Sequence, residues 1–372
     1  MSNLLPTNKE IEVKYLAAAF RNTTNSYKLY WFWAILDTLK TNPPSNGKIA
    51  TNQLAIKMVS LSWYTVNYYK LSLGLQDMIS STIAKIKLAS SLNEQSSKEE
   101  VEKICIDKFG SNKSLKESIS ALRRYVPYRF ITSFFSQELK GLVDAKKEKK
   151  IKALSKESFS SSSNPCIYKF ERGSIILHPK WQEYLTRNLK ILEDFCLWNL
   201  VSYLQTRNPN VPNLGNKLFY TPQQRDLSRA KNFWKLVYQQ SPIPCIYSNK
   251  ELDLKDFSID HFIPWSFVTH DALWNLTPTT KRINSAKNNN LPDLNQYLNR
   301  FTNQHFKAFQ LVYKLKKKKL LEDYAIAFND SLDNVHQYPS SIFKTKLSNQ
   351  IKPLAQIASN LGFQDAWTYK CS

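Results

Sequence analysis

The chain has 372 residues, 52 of them Lys or Arg against 30 Asp or Glu, for a formal net charge of +22. With 42% apolar and 13% aromatic residues it has material for a sizeable core, which excludes wholesale disorder, and its length suits two to three domains. No apolar run nears the roughly 20 residues of a bilayer span, and none of the seven glycines falls in a GxGxxG or GxxxxGK[ST] phosphate loop, so no membrane partner and no ATP or NAD cradle is expected.

The segment MSNLLPTNKEIEVKYL lacks the basic, apolar and small-residue order of a secretory leader. The five cysteines are scattered singly with no CxxC pair, so a reducing, cytoplasmic setting is the simplest expectation. Residues 10–40 read as helical. Positions 22–26 offer N-cap candidates, 27–40 is apolar almost all round and so predicts a central core helix, and Pro43-Pro44 ends it. Further helices are predicted near 50–62, 76–92, 98–109 and 114–124, with 93–97 as a loop. Together they predict a helical N-terminal domain over 1–145. The lysine run at 144–152 and the serine-rich stretch at 158–165 predict a flexible linker over 146–165. A helical connector over 166–240 follows, periodic from 181 to 205, broken at 207–212 and helical again over about 222–238. There Arg225 and Arg229 stand at i,i+4, with Asn232 near the same face. Such a stripe suits a phosphate backbone, or is an ordinary exposed face. Past residue 300 the chain resumes helix, and Lys314 with 316–319 forms a dense basic cluster. It reads as a solvated helix face with local salt bridges, or as a phosphate contact.

The charge is uneven. Residues 101–150 and 201–250 each carry +6 and 301–350 carries +4, but 251–300 carries −1. In that acid-rich block Phe257, Ile259, His261 and Ile263 alternate, predicting a strand, and 273–276 predicts a second. Thr279 or Thr280 can cap a short helix over 281–290, with Pro292 beyond its end. The order is β, loop, β, helix. Asp260 and His261 are adjacent there. An imidazole can take a proton from water and a carboxylate can hold a hard cation. Neighbouring strand residues point to opposite faces, so one site needs a bend, which Pro264 permits. Alone, the dipeptide reads rather as a surface ion pair or a capping pair.

The wider pattern is more specific. Asp260-His261, Asn275, Asn284, Lys287 and Leu291-Pro292 together resemble the HNH endonuclease family, the ββα-metal or His-Me finger nucleases, and the spacing is similar to the HNH domain of CRISPR nucleases. The resemblance covers about 241–300. With the helical readings on either side, it gives a mostly α protein with a small α+β module: a helical N-terminal domain, a ββα-metal core over 241–300, which the resemblance implies, and a helical C-terminal region over 301–372. The resemblance implies that His261 is the general base, that Asp260 and Asn284 ligate Mg²⁺ or Mn²⁺, and that Asn275 orients the His loop. Lys287, with Arg282, Lys281, Arg225 and Arg229, would meet nucleic-acid phosphate. Where many members carry paired CxxC motifs for a structural zinc, this sequence has Cys245-Ile-Tyr-Ser248, so no structural zinc is expected and Cys245 reads as a core residue. His270 and His305 read as structural or solvent-exposed. The implied activity is metal-dependent hydrolysis of DNA phosphodiesters, by analogy in a bacterial anti-phage or restriction effector. The alternative is a nucleic-acid-binding or assembly subunit whose helical domain binds a protein or ribonucleoprotein that gates the nuclease. A homing endonuclease is less well supported, because no strand-rich DNA-reading module is visible.

Overall fold

The dense apolar run of the first third becomes helix α1 (Tyr27–Thr41), buried from Leu29 to Leu39 except at Trp33. The computed structural model describes residues 5–21, 23–160, 164–219, 226–253 and 257–370. The chain divides into two units, 1–209 and 210–372.

In the first unit α1 packs against α2 (Thr51–Trp63) and, further on, α5 (Leu189–Arg207). The side of α1 facing α2 carries one acid, Asp37, which is 5% exposed. Lys57 of α2 and Lys98 of α3 (Lys98–Phe109) both donate to it, the latter at 2.6 Å, and Glu102 lies 3.4 Å from Lys57. Burial alone would push the Asp37 carboxyl up; hydrogen bonds from the two ammonium groups outweigh it and hold the carboxyl below its ordinary range. Helix α3 begins with a capping box between Ser97 and Glu100, directly after the loop expected at 93–97.

Two expectations for this unit are corrected. The region expected to be a flexible linker over 146–165 contains helix α4 (Asp144–Phe159). Its lysines, glutamates and alanines are good helix formers, and Ile151 and Ser155 are buried. Residues 161–163 lie outside the described residues. The helical half also contains a sheet: β1 (Lys48–Ala50), β2 (Tyr168–Glu171) and β3 (Ser174–Leu177) pair antiparallel in the order β1-β3-β2, with Ile49 and Phe170 both opposite Ile175. Strands of three or four residues are too short to leave an alternating signature, and the β2–β3 turn relies on Gly173 at φ +71°. The predicted connector over 166–240 is likewise divided, its first part to 209 belonging to the first unit.

The second unit holds α6 (Ser228–Gln240), the hairpin β4 (Phe257–His261) and β5 (Leu276–Thr280), α7 (Lys281–Lys287), α8 (Leu294–Lys314), α9 (Glu322–Phe328) and α10 (Ser340–Asn360). The second strand starts three residues later than the sequence suggests, because Leu273–Asn275 forms a 3₁₀ turn. Helix α8 is the spine: it packs on α6 and α10, and its Phe301 stacks on Phe262, just after β4, at 4.1 Å. The chain then returns, so that Trp367 pairs in parallel with Pro292 and exchanges backbone hydrogen bonds with Leu291 and Asp293. The described residues are mostly α, with a small three-stranded sheet in the first unit and the small α+β module of β4, β5 and α7 in the second. Among the described residues no helix is long and apolar enough to cross a membrane.

Candidate active site

The β4–β5 register sets Asp260 opposite Thr277 and His261 opposite Leu276, so the acid and the imidazole end the first strand just where the chain leaves the sheet. The 262–275 loop is closed by Asn275, which is fully buried. Its side-chain Oδ1 accepts from Ile263 N and its Nδ2 donates to Ile263 O, both at 2.8 Å, while its own carbonyl accepts from Phe262 N at 2.8 Å. One amide side chain thus pins the residues directly after His261.

The imidazole is 5% exposed, and its Nε2 lies 2.7 Å from Asp271 Oδ1. A carboxylate only accepts, so Nε2 carries the shared proton and the lone pair of the neutral ring falls on Nδ1. That arrangement fixes both tautomer and ring orientation, as a general base requires. Asp271 is one of the acids of the 251–300 block, but its pairing with His261 becomes visible only in the fold. Two further groups hold the loop. Asp323 of α9 accepts from Leu273 N at 2.6 Å. Lys217 is buried beneath the short Trp265–Val268 helix and donates to Phe267 O and, at 3.4 Å, to Ser266 O. Burial lowers the Lys217 ammonium to about 7. Nothing in the sequence marks Lys217, more than forty residues upstream.

Asp260 is 3% exposed. Tyr247 donates to its Oδ2 at 2.5 Å and Lys287 to its Oδ1 at 3.1 Å. Tyr247 sits in the turn that begins with Cys245 and is closed by Cys245 N to Lys250 O and Asn249 N to Cys245 O. The Cys245 thiol is buried 3.2 Å from Thr279 Oγ1. Helix α7, capped by Thr280, one of the two candidates, lays Asn284 and Lys287, one turn apart, against β4. The Asn284 amide donates to Ser258 Oγ at 3.0 Å and Ile259 O at 3.2 Å, which leaves its carbonyl oxygen for another partner. Among the described residues no group of three or more His, Cys, Asp and Glu could hold a metal. The donor set of Asp260 and Asn284 is nevertheless all oxygen, and each Asp260 oxygen keeps a lone pair beyond its one hydrogen bond. That chemistry fits a hard divalent cation of the Mg²⁺ type, which takes one or two protein oxygens and fills the rest with water and substrate phosphate. It does not fit zinc, which prefers nitrogen and sulfur.

Several expected contacts fall elsewhere. Lys287 is fully buried; its ammonium donates to Asp260 and, at 2.7 Å, to His261 O, so it is an internal brace and not a phosphate contact in this structure. Burial lowers its pKa, with Asp260 opposing the shift. Arg229 pairs with Asp323 at 3.0 Å and also reaches Leu320 O; Arg225 lies outside the described residues. Lys281 and Arg282 are exposed at the start of α7. His270 accepts from Ala272 N, and burial together with the nearby His261 lowers it to about 4. His305 is buried against Tyr324 OH at 2.6 Å and lowered by burial to about 3. Both are neutral structural rings.

Residues 245–293 match the family model for HNH endonuclease. No curated protein and no solved structure matches the chain. The matched span begins at the Cys245 turn and takes in the hairpin, the His261 loop and α7, so it coincides with the element that carries the paired His261 and Asp271. Residues 245–293 therefore form a domain of the HNH endonuclease family, within a chain whose remaining 323 residues the family model does not cover.

Proposed function

We propose that the chain is a divalent-metal-dependent endonuclease that hydrolyses phosphodiester bonds in DNA. The observation that carries this reading is the oriented imidazole: His261 held by Asp271 through Nε2, on a loop pinned by Asn275, directly after Asp260 in the strand whose Ser258 and Ile259 accept from Asn284. His261 Nδ1 takes a proton from water as the water oxygen bonds to phosphorus, and the bond from phosphorus to the leaving sugar oxygen breaks. A cation held by Asp260 and Asn284 would supply charge neutralisation at the phosphate. Asn275 is fully buried with its amide spent on the Ile263 backbone, and is a positioning residue. Lys281 and Arg282, exposed at the start of α7, would meet the nucleic-acid backbone. Supercoiled plasmid incubated with Mg²⁺ or Mn²⁺ tests the reading: the unsubstituted chain nicks or linearises it, and His261→Ala does so at least about 100-fold more slowly. Equal background cutting by both would overturn it.

A gated nuclease is the second reading, and one observation favours it. His261 and Asp260 are almost wholly buried, and both Asp260 oxygens are already engaged by Tyr247 and Lys287. A protein or ribonucleoprotein partner that opens this arrangement would switch cutting on. Vigorous cutting of naked DNA by the isolated chain would rule this out. For biological setting the proposal is an anti-phage or restriction effector in the cytoplasm, by family-level analogy alone. Equal phage plaque counts with the wild-type chain and His261→Ala would remove it.

A further inference from the structure

We propose that a basic groove in the second unit, formed jointly by α6 and the turn after α8, holds the phosphate backbone of the nucleic acid that the His261 site cuts. This deepens the nuclease reading and rests on it.

Each wall is unremarkable alone. Helix α6 presents Arg229 and Lys235, and the turn and 3₁₀ segment at 316–319 presents four consecutive lysines, some eighty residues later. In the fold the two walls line one open groove, with Glu322 the one acid on its lining. Two of its cations are already neutralised, Arg229 by Asp323 and Lys318 by Asp333. The other four, Lys235, Lys316, Lys317 and Lys319, are exposed and have no carboxylate within ion-pairing distance among the described residues. Clustered like charges repel, so a surface that keeps four unpaired ammonium groups in one concavity is suited to a polyanion. Extended phosphate is the matching chemistry, since each ammonium can release one condensed counterion.

The groove is coupled to the catalytic loop by a single side chain. Asp323 binds Arg229 on the groove wall with Oδ1 and Leu273 N with Oδ2. Leu273 is two residues from Asp271, the partner of His261. A strand seated on the lysines therefore lies beside the segment that positions the base.

The test is fluorescence anisotropy with a labelled 30-base-pair duplex, in the full-length His261→Ala chain so that binding is read without cutting, and repeated briefly on ice with His261 intact. The groove variant replaces Lys235, Lys316, Lys317 and Lys319 with Gln. A charge-matched control replaces Lys146, Lys149, Lys150 and Lys156 of α4, all exposed, with Gln. The groove variant should bind at least about 10-fold more weakly near 0.1 M salt, and the slope of log affinity against log salt should fall by about three. The control should change affinity less than about threefold. Equal losses in both variants, no loss in the groove variant, or no salt-dependent DNA binding by the parent chain would each overturn the proposal. Because the readout is binding, it stands or falls separately from whether His261→Ala abolishes cutting.

Discussion

Asp271 Oδ1 lies 2.7 Å from His261 Nε2, although the two are ten residues apart and joined by a loop with its own short helix. The pair converts an ordinary histidine into an oriented one. Asp271→Asn keeps the shape but lets the amide offer N–H as well as O, so the tautomer is no longer imposed. Cutting of plasmid should fall about 10- to 100-fold, as for other residues that orient a reacting group, while the melting temperature changes little. An Asp271→Asn protein that cuts at the parent rate would show that the pair is decorative.

For Lys287 the resemblance implies a phosphate contact, whereas the fold makes it the buried partner of Asp260. As a phosphate contact its loss would weaken substrate binding and leave stability untouched. As the buried partner of Asp260 its loss leaves an acid with only Tyr247 for company. Lys287→Met should destabilise the chain by about 3 kcal/mol in denaturant titration, the usual cost of orphaning a buried charge. An unchanged unfolding midpoint would restore the phosphate role.

Lys217 makes a pH-dependent contribution. Its folded value is lowered from 10.5 to about 7, so between those limits the unfolded chain holds a proton that the folded chain has released. Stability must then rise with pH from about 7 towards 10.5, by an amount on the order of a few kcal/mol. Lys217→Met should remove that slope, and the difference between the two stability curves should shrink as pH rises. Parallel curves would show that the ammonium is not buried.

The returning chain at the C-terminal end bears on the same acid. Trp367 packs on Tyr247 with ring centroids 5.4 Å apart, and Tyr247 holds Asp260. Removing residues 364–372 deletes this contact and the pairing with Leu291 and Asp293. A loss of about 2 kcal/mol is expected from the unpaired backbone and exposed ring, with reduced cutting. Full activity and an unshifted melting curve in the truncated chain would count against the support.

The candidate site residues were legible because their pattern is local in sequence. Asp260 and His261 are neighbours, Asn275 and Asn284 follow at short intervals, and Thr280, one of two cap candidates, caps α7. The long helices were legible for a similar reason: a buried helix such as α1 writes its apolar character into consecutive residues. The three-stranded sheet was not, since its strands are short and its pairing spans more than a hundred residues. The lysine run at 144–152 misled because composition alone does not distinguish a solvated linker from a solvated face of α4, whose other side buries Ile151.

By itself, then, the amino-acid sequence pointed to the family of the 245–293 domain, the ββα order and the residue types of the candidate site. Only the tertiary structure decided which carboxylate holds His261, that Lys287 faces inward to Asp260, and that α6 and the 316–319 lysines share one groove. The physical reason is range. Caps, turns and motif spacing act over a few residues and are written along the chain, whereas the orientation of an imidazole and the burial of an ammonium depend on groups that folding alone brings together.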